Sequence, residues 1–215
     1  MQFDPARTDG EFVIRRCRPE DEAAVYEVCL RTGEHGEDAR HLYDDPLALG
    51  HIFVGPYMRL EPRFAFVLAS GRGVCGYALA ALDSERFYEN FRTQWLPPLR
   101  AAHAEPTGDP ARWTPTQKIY YEFHHPRIYF PASLRNCPSH LHIDLLPRAQ
   151  GHGWGTRMMW VLLAALTAAG SPGVHLAMSA RNIRAARFYR KLGFVELERT
   201  GTGDASTIYL GRTLS

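Results

Sequence analysis

The stretch His140-Leu141-His142-Ile143-Asp144-Leu145-Leu146-Pro147-Arg148-Ala149-Gln150-Gly151-His152-Gly153-Trp154-Gly155-Thr156 decides how this chain folds. A β-prone apolar run predicts a strand over 140–146, Pro147 ends it, and the apolar residues after the glycines predict a helix over 153–169. Glycines let the backbone turn sharply and approach a ligand closely. The first amides of the helix face outward at the positive end of its dipole, so the expected guest is a pyrophosphate. Two familiar nucleotide patterns do not fit. The dinucleotide fingerprint needs a glycine where Thr156 stands and an acid about twenty residues later, where none occurs. The P-loop needs a Lys followed by Ser or Thr, and the turn holds no Lys. A tight strand-to-helix connection without a ligand is the alternative reading.

Downstream, the pattern predicts a strand over 174–178, an amphipathic helix over 182–192 closed by Gly193, and strands over 194–198 and 207–210. Strand alternating with helix implies a βαβ core with parallel pairing at its centre. Upstream, a strand over 12–16 leads into a helix over 23–30, and the polar stretch 33–46 reads as a loop. A second helix is expected over 47–60. Two β-rich runs, 64–69 and 74–82, flank Ser70-Gly71-Arg72-Gly73 and predict a hairpin.

Residues 84–138 differ in texture, with 8 of the 15 prolines and 10 of the 25 aromatic side chains, Trp95, Trp113, Tyr120, Tyr121 and Tyr129 among them. So many large rings favour burial over disorder, and the stretch is expected to form helices, near 85–95 and 116–124, that cover the sheet.

The 215 residues, 45% hydrophobic and 22% charged, suit one globular domain spanning 1–215. No opening segment pairs a basic start with an apolar run, and the apolar stretch 158–169 is too short to cross a bilayer. Four cysteines without a CxxC pair suit a reduced compartment, and a cytoplasmic protein with no membrane partner is expected. The net charge of +2 conceals an asymmetry. Residues 145–195 contain no Asp or Glu, yet carry Arg148, Arg157, Arg181, Arg184, Arg187, Arg190 and Lys191. An anionic ligand nearby explains this segment, as does a solvated Arg-rich helix face.

Pro147-Arg148-Ala149-Gln150-Gly151-His152-Gly153-Trp154-Gly155 resembles motif A of the GNAT acetyltransferase superfamily through Gln150, Gly153 and Gly155. Asn182-x-x-Ala185-x-x-Phe188-Tyr189-x-x-x-Gly193-Phe194 resembles its motif B. Further segments are similar to the acetyltransferase-like C-terminal domain of eukaryotic O-GlcNAcase in a free-standing bacterial form. They are 21–27, 74–79, Ile143-Asp144 and 188–193. That eukaryotic domain looks like a pseudo-acetyltransferase with a degenerate phosphate turn, whereas this chain keeps its glycines.

The resemblance implies an α/β GNAT fold (an α+β sandwich), a central mixed sheet of about seven strands flanked by helices, with 84–138 as a helical aromatic-rich insert over the substrate side. It implies acetyl-CoA as cofactor and acetyl transfer to a primary amine of a small molecule or protein. A catalytically silent acetyl-CoA-binding or protein-interaction module is the alternative. The pyrophosphate contact carries over to Gln150, Gly151, His152, Gly153, Trp154, Gly155 and Thr156. Asn182 and Phe188 stand beside the cofactor, and Leu145 and Leu146 contribute main chain.

Tyr189 matches the family's general acid, although its place on the apolar stripe with Ala185, Phe188 and Leu192 also suits a core tyrosine. Asp144, an acid in an apolar strand, is the candidate base, since burial would raise its pKa; a structural hydrogen-bond acceptor is the other reading. His140 and His142 alternate with it on the same strand face and are rival bases. With His124 and His125 they invite a zinc reading, but no Cys or acid completes a ligand spacing, so no metal is expected. No nucleic-acid module is recognisable. The acceptor stays open, as does the choice between monomer and homodimer.

Overall fold

The computed structural model describes residues 12–214. Strand β1 (Phe12–Arg16) is followed by α1 (Glu22–Leu30). Two short helices, α2 (Ala48–Phe53) and α3 (Gly55–Leu60), occupy the region expected to be one helix. The break falls at Val54, whose φ of −134° leaves the helical range. Pro56 explains it, because its missing amide cannot reach back to the carbonyl four residues earlier.

The hairpin forms as β2 (Ala65–Ser70) and β3 (Gly73–Ala81), with Gly73 at a φ of +89° that suits glycine. Helix α4 (Ser84–Asn90) is capped by Asp83, whose side chain accepts from the Arg86 amide. It runs through a wide turn, Phe91–Trp95, into α5 (Leu96–Ala102), which the sequence reading lacked. Pro97 and Pro98 cannot donate to Thr93 and Gln94, and the Leu96 amide reaches back five residues to Phe91 instead. Helix α6 (Pro115–His124) opens with a capping box between Thr114 and Gln117.

Strand β4 (Ser139–Leu145) precedes the glycine turn and α7 (Trp154–Ala168), which is followed by β5 (Gly173–Ser179) and α8 (Ile183–Lys191). Strands β6 (Val195–Thr200) and β7 (Thr207–Thr213) close the sheet. Its order is β1-β2-β3-β4-β5-β7-β6, with β4 and β5 the one parallel neighbouring pair among the described residues. The expected βαβ succession is therefore only half realised. The chain folds back after β6 through a turn with Gly201 and Gly203 at positive φ, and β7 enters between β5 and β6, antiparallel to both.

Helix α7 supplies one layer of core, burying Met158, Met159, Leu162 and Leu166 against β2, β3 and β4. Helix α1 covers the opposite face with Val25, Val28 and Cys29. Central β3, covered on both sides, is buried from Cys75 to Ala81, which accounts for its continuous apolar run. The fold is a seven-stranded mixed sheet flanked by helices, of the α/β class, as the family resemblance implied. No helix among the described residues is long and apolar enough to cross a membrane.

Candidate active site

Between β4 and α7 the backbone is turned outward. Gly151 and Gly153 hold φ of +81° and +78°, and a methyl group built on either would meet nothing within 4 Å. The first in-helix bond runs from the Arg157 amide to the Gly153 carbonyl. The amides of residues 151–156 consequently have no acceptor among the described residues. Six successive donors, open space above the glycines and the positive end of a 15-residue helix fit a diphosphate.

Trp154 takes part through its main chain alone, since its ring is buried beside Phe12 with centroids 5.5 Å apart. His152 is exposed. Gly155 sits where α8 crosses, and a Cβ there would stand 3.4 Å from the Phe188 ring, so Phe188 packs directly against the turn. The Gln150 side chain spans the entrance, donating to the Leu145 carbonyl at 2.6 Å and accepting from Arg184 at 2.5 Å. Arg148, Arg181, Arg184, Arg187, Arg190 and Lys191 make no ion pair with a carboxylate of the described residues. Their charge remains available to an anion.

The central strands part below this turn. Register between β4 and β5 lasts only for Ser139↔Val174 and His140↔His175, whereas β4 stays paired to β3 as far as Leu145 and β5 to β7 as far as Ser179. A cleft of about 290 Å³ occupies the gap, with Asp144, Tyr77, His142, Asn182, Ala185 and Tyr189 in its walls. The Leu146 amide donates to the Cys75 carbonyl on β3. Because successive peptides of a strand face opposite neighbours, the Leu145 amide points into the gap. The Leu146 amide is turned away and committed, and of the two residues it is Leu145 that presents an amide to the cleft.

Asp144 is partly buried at the cleft floor and accepts from the Tyr77 hydroxyl at 2.7 Å. Burial pushes its carboxyl up to about 7, while the Tyr77 bond and the Arg184 charge pull the other way. Tyr189 is buried between Phe188 and Phe194, with ring centroids at 5.2 and 5.6 Å, yet it lines the cleft. Its hydroxyl has no hydrogen-bond partner among the described residues. Burial first, and then the charge of Asp144, raise its pKa well above the ordinary tyrosine value, so it holds its proton. Asn182 caps α8, its side chain accepting from the Ala185 amide at 3.0 Å, and borders the same cleft. The structure thus brings Asp144, Leu145 and Tyr189 to one gap and sets the 150–156 turn above it.

A second cleft of about 210 Å³ adjoins the first, sharing Phe53, Leu141, His142 and Ala177 with it. Tyr57, Phe87, Tyr88, Phe91, Tyr129 and Tyr209 make it aromatic, and from the stretch 84–138 its wall takes α4, Phe91, Glu122 of α6 and the segment 126–129. His140 lies at its base with both ring nitrogens bonded, to the Ser84 and Tyr57 side chains, and burial holds its pKa well below the histidine range. It is unsuited as a base. Sequence reading missed Tyr57 and Tyr77. Tyr77 meets Asp144 only because β3 pairs with β4 across an intervening 57 residues (82–138), and a tyrosine inside an apolar strand carries no mark of that pairing.

The family model for the acetyltransferase (GNAT) domain matches residues 128–196, which hold the glycine turn and the split strands. The protein titled SsHAT, solved as a crystal structure, is 38% identical, superposes with a TM-score of 0.86, and is covered to 99% by 95% of this chain. The chain belongs to the GNAT acetyltransferase family. Protein O-GlcNAcase of Rattus norvegicus is 30% identical over 217 residues, and the match takes in 96% of this chain but 22% of that protein. The GNAT chain thus spans about a fifth of the length of the curated relatives it matches. The structure of yncA from Salmonella typhimurium with its cofactor acetyl-CoA shares the fold, with a TM-score of 0.56 at 13% identity over 96% of this chain and 95% of that one.

Proposed function

We propose that this chain binds acetyl-CoA and transfers the acetyl group to a primary amine. The observation that carries the reading is the coincidence of two features: six amides over 151–156 with no acceptor among the described residues, and a split between β4 and β5 directly below them that holds a carboxyl and a tyrosine. Amides of Gly151 to Thr156 hold the diphosphate, and Arg148, Arg181, Arg184, Arg187 and Arg190, which have no ion pair among the described residues, neutralise the remaining phosphate charge. Bound acetyl-CoA would supply an activated acetyl group as a thioester.

Asp144, with its carboxyl raised to about 7, is matched to take a proton from an incoming ammonium near neutral pH. The Leu145 amide faces the gap, where negative charge develops on the carbonyl oxygen. Tyr189, kept protonated by burial, gives its proton to the departing sulfur. SsHAT supports the fold and yncA the cofactor class, and the kinship to O-GlcNAcase leaves a silent cofactor-binding module as the other outcome of a test.

Calorimetric titration with acetyl-CoA, followed by a screen of amines and peptides for CoA release, separates these. Binding with acceptor-dependent release is expected. Binding without release from any amine points to the silent module, and absence of binding overturns both.

A further inference from the structure

Where the two clefts meet, proton positions follow from hydrogen-bond arithmetic. Ser84 has one hydroxyl proton, and its Oγ lies 2.6 Å from the Pro138 carbonyl oxygen and 2.7 Å from His140 Nδ1. Two oxygens that close need a proton between them, so Ser84 donates to Pro138 and accepts from His140 Nδ1–H. His140 is buried and uncharged, which leaves Nε2 as a bare acceptor for the Tyr57 hydroxyl 2.8 Å away. The single proton of Tyr57 is thereby used. His142 Nε2, 3.1 Å from the same hydroxyl oxygen, can only be the donor. His142 is neutral as well, since burial lowers its pKa to about 4, so Nδ1 carries a lone pair. That nitrogen makes no hydrogen bond to a described residue, and His142 is one of the four residues shared by both clefts.

We propose that Ser84, His140 and Tyr57 form a positioning relay that fixes His142 in the Nε2–H tautomer, so that its Nδ1 accepts an N–H of the acceptor amine passing from the aromatic cleft to Asp144. The proposal rests on the acetyl-transfer reading and deepens it. His142 takes no proton, because Asp144 is the stronger base; it orients the amine so that the nitrogen lone pair faces the thioester. The acceptor class that suits the route is a primary amine with an apolar or aromatic body, matched to walls of Tyr57, Phe87, Tyr88, Phe91, Tyr129 and Tyr209. The carboxylate of Glu122, which also lines that cleft, is balanced by Arg127 at 3.6 Å, so a second positive charge on the acceptor is not required.

Nitrogen-15 NMR of the histidine-labelled protein without ligand tests the relay independently of catalysis. At neutral pH, His142 should show a protonated Nε2 and an unprotonated Nδ1. The opposite tautomer, or an average of both, overturns the relay. Tyramine serves as the probe amine for the second arm. His142→Asn keeps an amide near the Nδ1 position and should hold kcat/KM within about 10-fold of the parent, whereas His142→Gln, with its amide near Nε2, should lose about 100-fold. Acetyl-CoA affinity should stay unchanged in both. Equal losses remove Nδ1 from the amine. Tyr57→Phe should mix the tautomers and raise the KM for tyramine while sparing that for acetyl-CoA, and a tautomer unchanged in that variant also contradicts the relay. Should NMR give the expected tautomer while no amine is acetylated, the acetyl-transfer reading fails and the internal hydrogen-bond order alone stands.

Discussion

Tyr77 and Asp144 stand directly opposite each other on antiparallel β3 and β4, and the tyrosine hydroxyl donates to the carboxylate across 2.7 Å. A donor to the charged form favours ionisation, while burial opposes it, and burial wins because the carboxyl is raised to about 7.

Activity should therefore rise with pH as Asp144 ionises, with an acid limb near pH 7 in kcat/KM. Tyr77→Phe removes the bond that favours the carboxylate, so the limb moves to higher pH. Asp144→Asn should lower kcat/KM about 10²–10⁴-fold and abolish the limb. A pH–rate profile unchanged by both substitutions would transfer the base to another group.

The same shift predicts a stability effect. The carboxyl titrates at about 7 in the fold against an ordinary 3.8, so stability is fully present below about 3.8 and is lost as pH rises through 7. Asp144→Asn avoids the buried charge and should be more stable than the parent at pH 9 by on the order of 2–4 kcal/mol, with the gap closing below pH 4. Urea denaturation at the two pH values reads this difference.

Tyr189→Phe keeps the ring packed between Phe188 and Phe194 and deletes only the proton offered to sulfur. We expect kcat to fall at least 10-fold while the dissociation constant for acetyl-CoA changes less than about 3-fold. Equal turnover would make Tyr189 a core residue alone.

Two substitutions at Gly153 separate strain from charge. Both Asn and Asp tolerate the left-handed φ of +78° there and have nearly the same shape. Gly153→Asn should retain measurable CoA affinity, and Gly153→Asp should lose it, because the carboxylate would face the phosphates. Calorimetry that gives both variants equal affinity would move the anion elsewhere.

Local signals carried most of the fold. The glycine turn, the 15-residue apolar helix after it and the hairpin around Gly71-Arg72 each read correctly because neighbours in sequence create them. Proline chemistry was legible only in part. Pro56 splits an expected helix, while Pro97 and Pro98 do not end theirs but widen it into α5. The insertion of β7 between β5 and β6 depends on long-range pairing that periodicity does not encode. At the candidate site, the turn and Tyr189 stood out through their motif residues, and Asp144 as an acid inside an apolar strand. Tyr57, Tyr77 and Ser84 were not, since their roles arise from contacts across 83, 67 and 56 residues of chain.

Acetyl-CoA binding depends most on amides at the head of α7 receiving a diphosphate. Amide NMR during titration with CoA tests this directly, because Gly151, Gly153 and Gly155 give backbone signals in a sparsely populated region. Diphosphate binding at this turn predicts saturable downfield shifts of these three amides and of Thr156, with the shifts lost in Gly153→Asp. CoA binding that leaves all four unmoved, with shifts clustered elsewhere, would contradict it.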